Sequence, residues 1–175
     1  MFKKYFIFLF SFISIFSCLF QSKDTSNSTF LNDQLDYFKP IHTHLISSTF
    51  DWRELHGKAN LHDGIDYPAP PQTPIYATKS GIVTNANFLN GYGNTVILLH
   101  HDGTKSLYGH LSETFLVFSG QTVVKGQIIG KVGPKYLSDG RLNGFTTGPH
   151  LHFTVYNEKG KQIDPLSLNL QEPIN

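Results

Sequence analysis

The chain has 175 residues, 14 basic against 13 acidic side chains and one cysteine, Cys18. That length suits one domain of ordinary size plus a leader and leaves little for a second. The near-balanced charge forms no basic stripe for nucleic acid, and a lone cysteine excludes a disulfide framework and a thiolate metal site, so any metal must be held by histidines and carboxylates.

Lys3 and Lys4 open the chain, and Tyr5 to Phe20 is almost wholly apolar. The run falls short of the roughly 20 residues of a spanning helix and matches a signal-peptide core. Residues 1–20 therefore read as an export signal, with an uncleaved membrane anchor as the alternative. Cys18, preceded by Ile15-Phe16-Ser17, resembles the lipidation site of a lipoprotein signal, although Phe16 is bulkier than usual there. Lipidation at Cys18 stands against a plain signal or an anchor. Gln21 to Asn32 has the polar composition of a flexible tether, and Leu31 to Ser48 reads as a short helix or an extended lead-in. The expected organisation is tether and lead-in over 21–48, a folded domain over 49–170 and a tail over 171–175.

Within the domain, short strands alternate with turn signals. Ile65-Asp66-Tyr67 is a brief strand closed by prolines, followed by Pro74 to Ala77 and Gly81 to Ala86. Asn94 to His100 is the clearest strand, and Asp102-Gly103 marks a hairpin returning along Lys105 to His110. Gly120, Val123, Gly126, Ile129 and Gly130 form spaced strand corners, and His150 to Tyr156 is the last strong strand. Long helical periodicity is missing throughout, so the fold class is all-β.

Nine histidines in a chain this short invite metal hypotheses. His42-Thr43-His44 lies ahead of the domain with no turn residue to position it and reads as a decoy. His62 and Asp66 have Gly64 between them, so a loop delivers His62 and a strand delivers Asp66. An imidazole and a carboxylate converging this way suit zinc, although the two could equally hydrogen-bond each other at a turn. In His150-Leu151-His152, strand periodicity sends both imidazoles to one face and Leu151 to the core, where the bland alternative is a surface pair. His110 ends another strand, whereas His56, His100 and His101 read as loop or hairpin residues. With no His-Glu-x-x-His helix and only four glutamates, the proton-transfer group is expected to be a histidine.

Taken in order, these stretches resemble the lysostaphin- and LytM-type zinc endopeptidases, with their duplicated hybrid motif fold, from about Phe50 to Leu166. The matching pieces begin with His62-Asp63-Gly64-Ile65-Asp66, Thr73-Pro74-Ile75-Tyr76-Ala77, Gly81-Ile82-Val83 and Gly91-Tyr92-Gly93-Asn94. They continue through Tyr108-Gly109-His110-Leu111-Ser112, Gly120-Gln121-Thr122-Val123 and Gly126-Gln127-Ile128-Ile129-Gly130. Thr147-Gly148-Pro149-His150-Leu151-His152-Phe153 and Asp164-Pro165 close the pattern. The resemblance implies one zinc per chain, held by His62, Asp66 and His152, with His110 and His150 as the catalytic pair. It implies a distorted antiparallel β-sandwich, or barrel-sandwich hybrid, with the metal in an open groove.

The implied function is hydrolysis of the peptide cross-links of bacterial peptidoglycan by a monomer in the periplasm or cell envelope. The alternative is a non-catalytic envelope protein of this fold that activates another wall hydrolase. Gly120 to Gly130 also resembles a biotinyl- or lipoyl-type hairpin, but Lys125 lacks the small or acidic neighbours such a carrier needs. Two departures stand out. Pro134 to Phe145 is a longer loop than relatives have, with Lys135, Asp139 and Arg141 along it. Phe50-Asp51-Trp52-Arg53 stands where relatives have a Gly-x-Arg stretch.

Overall fold

In the computed structural model, which describes residues 37–172 apart from His56, short strands make up nearly all the regular structure. Cys18, the apolar run before it and the stretch Gln21 to Asn32 lie outside the described residues. Alternation drives the fold. On β4 (Ile65–Pro68) Ile65 and Tyr67 are buried while Asp66 is only half-buried, and on β11 (His150–Tyr156) Leu151, Phe153 and Val155 are wholly inaccessible. A period of two puts those side chains on one face, and each large one stabilises the fold by about 1.5–3 kcal/mol on burial.

The main sheet is antiparallel, with strand order β12-β11-β8-β7-β6-β9. Its members are β6 (Gly81–Leu89), β7 (Gly93–His100), β8 (Lys105–Gly109), β9 (Thr122–Val123), β11 and β12 (Gln162–Ile163). β4 pairs with the first half of β11, beside β12, on the edge that β8 leaves free. β5 (Pro74–Tyr76) and β10 (Ile128–Lys131) form a second antiparallel pair. Ile75 and Ile129 from that pair share one core with Val96, Leu98, Tyr108 and Phe153 of the main sheet. The protein is thus all-β. The one helical turn among the described residues is the 3-10 segment Pro165–Ser167, capped by the Asp164 carboxylate, which accepts from Leu166 N at 2.9 Å.

Expected strands and observed strands agree to within a few residues, and the Asp102-Gly103 turn closes the β7–β8 hairpin with Gly103 at φ 80°. Two features differ from expectation. First, β2 (Asp51–Leu55) and β3 (Lys58–His62) form a separate antiparallel hairpin, so a strand end delivers His62 rather than a loop. Three of the five residues of β3 are exposed, so the hairpin has no buried face to print an apolar alternation on the sequence. Second, the described part of the lead-in takes the extended one of its two expected forms but is packed against the domain. Tyr37 and Ile41 are buried in the core, and β1 (Tyr37–Phe38) runs parallel to β13 (Leu170–Gln171), so packing reaches ahead of Thr49.

Candidate active site

Strand register assembles the site. Asp66 on β4 and Gly109 on β8 both lie directly opposite His152 on β11, which puts Asp66 and His152 on one face and His110 one residue beyond. His150 projects from the same face two residues earlier. His62 ends β3 and reaches the same place across Gly64, where a Cβ would stand 2.4 Å from the carbonyl oxygen of Phe153. Only glycine lets the chain between His62 and Asp66 lie that close to β11. All five side chains line one open cleft of about 310 Å³, together with Arg53 and Leu61 of the hairpin, Tyr92 and Phe145.

Three acceptor atoms converge there. His62 Nε2 is 3.1 Å from Asp66 Oδ1, His152 Nδ1 is 2.8 Å from the same oxygen, and the two nitrogens are 3.2 Å apart. The partners on the far side of each ring decide which nitrogen carries hydrogen. His62 Nδ1 faces the Thr49 carbonyl at 2.8 Å, which can only accept, and Ser48 Oγ at 3.1 Å. His152 Nε2 faces Asp63 Oδ1 at 3.2 Å and Thr154 Oγ1 at 3.0 Å. Both inward nitrogens are then bare, and two lone pairs and a carboxylate in a triangle this small repel unless a proton or a cation lies among them. Tetrahedral zinc with bonds of about 2.0–2.1 Å sets its ligand atoms about 3.3 Å apart, close to the observed triangle. The donor set therefore fits zinc.

The charge balance of the metal-free site points the same way. Burial works against ionisation of Asp66, yet hydrogen bonds to His152 and His62 outweigh it and hold the carboxyl well below the usual range. Burial likewise opposes a charged His152, but its bonds to Asp63 and Asp66 prevail and raise its pKa. A cation is favoured at this spot.

The second pair of histidines is fixed differently. His110 Nδ1 donates to the Asn143 carbonyl at 2.6 Å, and His150 Nδ1 donates to the Gly148 carbonyl at 2.8 Å, which leaves both Nε2 atoms as acceptors. The ring centroids are 4.5 Å apart, and His150 Nε2 is 3.5 Å from Asp66 Oδ1. Burial, reinforced by His150 and His152, pushes His110 down to about 3, so it is neutral at neutral pH. Its backbone sits at φ 58°, a conformation that costs a non-glycine residue free energy and concentrates at functional sites. Two backbone bonds hold it there, His110 N to the Tyr92 carbonyl at 2.7 Å and Gly133 N to the His110 carbonyl at 2.9 Å.

The other histidines lie apart. His42 stacks on Tyr76 at 4.6 Å between centroids, and His44 Nδ1 is 3.4 Å from Lys39 Nζ. His100, expected as a loop or hairpin residue, is a hairpin residue, buried at the end of β7 with Nδ1 3.1 Å from the Ser80 carbonyl and Nε2 2.9 Å from Ser106 Oγ. Three residues that sequence reasoning did not single out are part of the frame. Asp63 meets His152 and accepts from the Tyr92 hydroxyl. Asn143, wholly buried, holds His110 by its carbonyl while its side chain accepts from Asn94 N and donates to the Leu111 and Pro134 carbonyls. Asp63 and Tyr92 lie within matched stretches, His62-Asp63-Gly64-Ile65-Asp66 and Gly91-Tyr92-Gly93-Asn94, whereas Asn143 lies in none.

An all-β domain with a His-Asp-His triangle in an open cleft, and two further histidines beside it, defines a candidate metal-dependent hydrolase. Residues 60–165 match the family model described as peptidase family M23, and the chain belongs to that family. It is 41% identical over 131 residues to the DD-carboxypeptidase/endopeptidase Mpg of Neisseria meningitidis, covering 73% of this chain and 28% of that protein. It is 35% identical over 136 residues to the peptidoglycan DD-endopeptidase ShyC of Vibrio cholerae, covering 76% and 28%. The chain thus spans a little over a quarter of the length of these relatives. Among solved structures, a zinc-containing peptidase from Vibrio cholerae superimposes with a TM-score of 0.66 at 30% identity, over 78% of this chain and 41% of that one. The catalytic domain of lysostaphin from Staphylococcus simulans gives 0.59 at 30% identity, over 70% and 90%.

Proposed function

We propose that the chain is a zinc-dependent endopeptidase that hydrolyses peptide cross-links of bacterial peptidoglycan in the cell envelope. The observation that carries this reading is the acceptor triangle of His62, Asp66 and His152, at separations suited to tetrahedral zinc, in a cleft also lined by His110 and His150. Relatives named as peptidoglycan DD-endopeptidases support the substrate, and a zinc-containing neighbour supports the metal.

In this reading His62 Nε2, Asp66 Oδ1 and His152 Nδ1 hold one zinc. When bound, zinc polarises a peptide carbonyl and brings the pKa of a coordinated water to about 7. His110 and His150, each with Nε2 free, divide the remaining work: one accepts a proton at Nε2, and the other, once protonated there, donates to the developing oxyanion or leaving amine. The Asn143 and Gly148 carbonyls keep each ring in the tautomer this requires. Arg53 and Phe145 line the same cleft, where an extended peptide would lie.

The test is digestion of purified peptidoglycan with the zinc-loaded protein, followed by mass analysis of the released fragments. Cleaved cross-link peptides are expected, and their loss in His110→Ala and His150→Ala with zinc retained. Intact peptidoglycan after prolonged digestion by fully loaded protein refutes the reading.

A further inference from the structure

Asp63 follows directly on the first candidate ligand, yet it points elsewhere. Its Oδ1 lies 3.2 Å from His152 Nε2, the ring nitrogen on the far side from the acceptor triangle. Its Oδ2 accepts from Gln162 Nε2 at 2.8 Å and from the Tyr92 hydroxyl. Gln162 belongs to β12 and Tyr92 to the turn before β7, so two separate elements aim one carboxylate at one imidazole. The side chain is 18% exposed, which limits screening of its charge by water. The Tyr92 ring covers His152 as well, with centroids 5.5 Å apart.

We propose that Asp63 is a positioning residue for the metal: its carboxylate, 3.2 Å from His152 Nε2, keeps the hydrogen on that nitrogen and so leaves Nδ1, as a lone pair, facing the zinc position. The inference rests on the proposed ligand set. Its physical basis is threefold. A carboxylate on Nε2 fixes the tautomer, restrains rotation of the ring, and through its charge makes the opposite nitrogen a stronger donor to a cation. Thr154 Oγ1, 3.0 Å away, is the aligned hydrogen-bond partner of the same Nε2, but a hydroxyl is neutral and accepts or donates equally well, so it does not by itself decide which ring nitrogen carries the hydrogen. Removing Thr154 therefore leaves the tautomer with Asp63, whereas removing the charge of Asp63 does not leave it with Thr154.

The test is the zinc dissociation constant of the full-length chain at pH 7.5, read by competition with a chromophoric chelator and requiring no activity. Asp63→Asn is expected to weaken zinc by about 10–100-fold, the effect typical of losing such a partner, and Thr154→Val by far less. His152→Ala is expected to abolish tight binding. If His152→Ala loses zinc while Asp63→Asn binds like the wild type, the role of Asp63 is overturned and the ligand set stands. Wild-type affinity in His152→Ala overturns the ligand set itself. Should Asp63→Asn fail to fold, Tyr92→Phe removes one of the bonds that orient the carboxylate at little change in volume. It is expected to weaken zinc a few-fold, and an unchanged constant there overturns the proposal.

Discussion

The buried histidine behind the site gives a pH dependence of stability that can be worked out in advance. His100 has its Nδ1 on the Ser80 carbonyl and its Nε2 on Ser106 Oγ, which in turn lies 3.0 Å from the hydroxyl of buried Tyr108, on the strand that delivers His110. Burial, the dominant influence, pushes its pKa down to about 4 from 6.5; nearby Lys79 adds to this, while the Ser80 bond and Asp102 oppose it. A folded pKa below the unfolded one means the fold binds the neutral ring. Its contribution is therefore complete above about pH 6.5, falls as pH drops toward 4, and is lost below that. The cost of acidification works out at about 2 kcal/mol at pH 5 and about 3 kcal/mol in full. His100→Gln keeps a donor and an acceptor without a titrating group. Urea unfolding of the metal-free protein should give a wild-type minus variant difference that shrinks by about 2 kcal/mol from pH 8 to pH 5. Taking the difference cancels His110, which titrates with the same sign, and His152, which titrates with the opposite one. A difference that stays constant over that range refutes the assignment of His100 as a neutral buried group.

Three further outcomes are expected. His62→Ala, Asp66→Ala and His152→Ala should each lose most bound zinc by elemental analysis, because one of the three proposed ligands goes with each; full zinc content in all three contradicts the ligand set. His110→Gly should be more stable than His110→Ala by about 1 kcal/mol in urea unfolding, since only glycine adopts φ 58° freely, while both are inactive; equal midpoints contradict the strain. If Cys18 is lipidated, Cys18→Ser should lose a fatty-acid label and change its fractionation; identical behaviour with no label on either protein favours a plain signal or an anchor.

What could be read from the chain in advance was whatever repeats locally. His150-Leu151-His152 announces a shared face because strand periodicity is two, and the buried Leu151 and Phe153 give the orientation of that face. Asp102-Gly103 announces its turn because φ 80° favours glycine. The hairpin β2–β3 had no such mark, for its strands are largely exposed and bury too little to impose alternation. Asp63 and Tyr92 were hidden for another reason: they meet between two connections far apart in the chain, one after β3 and one before β7. Asn143 was further out of reach, since it holds His110 through a backbone carbonyl that any residue could supply. Its side chain reveals why asparagine stands there. With one amide it ties Asn94 N at the start of β7 to the Leu111 and Pro134 carbonyls, and so carries the loop from Pro134 to Phe145 back to the strand end that bears His110. The loop that stands out as longer than in relatives is thereby also the element that orients His110. A peptide pressing on Phe145, two residues along, acts on the same short segment that holds the Nδ1 hydrogen. In the proposed function, substrate contact and histidine geometry would be coupled by chain connectivity rather than by proximity, so changes in loop length between Pro134 and Asn143 should alter turnover as well as selectivity.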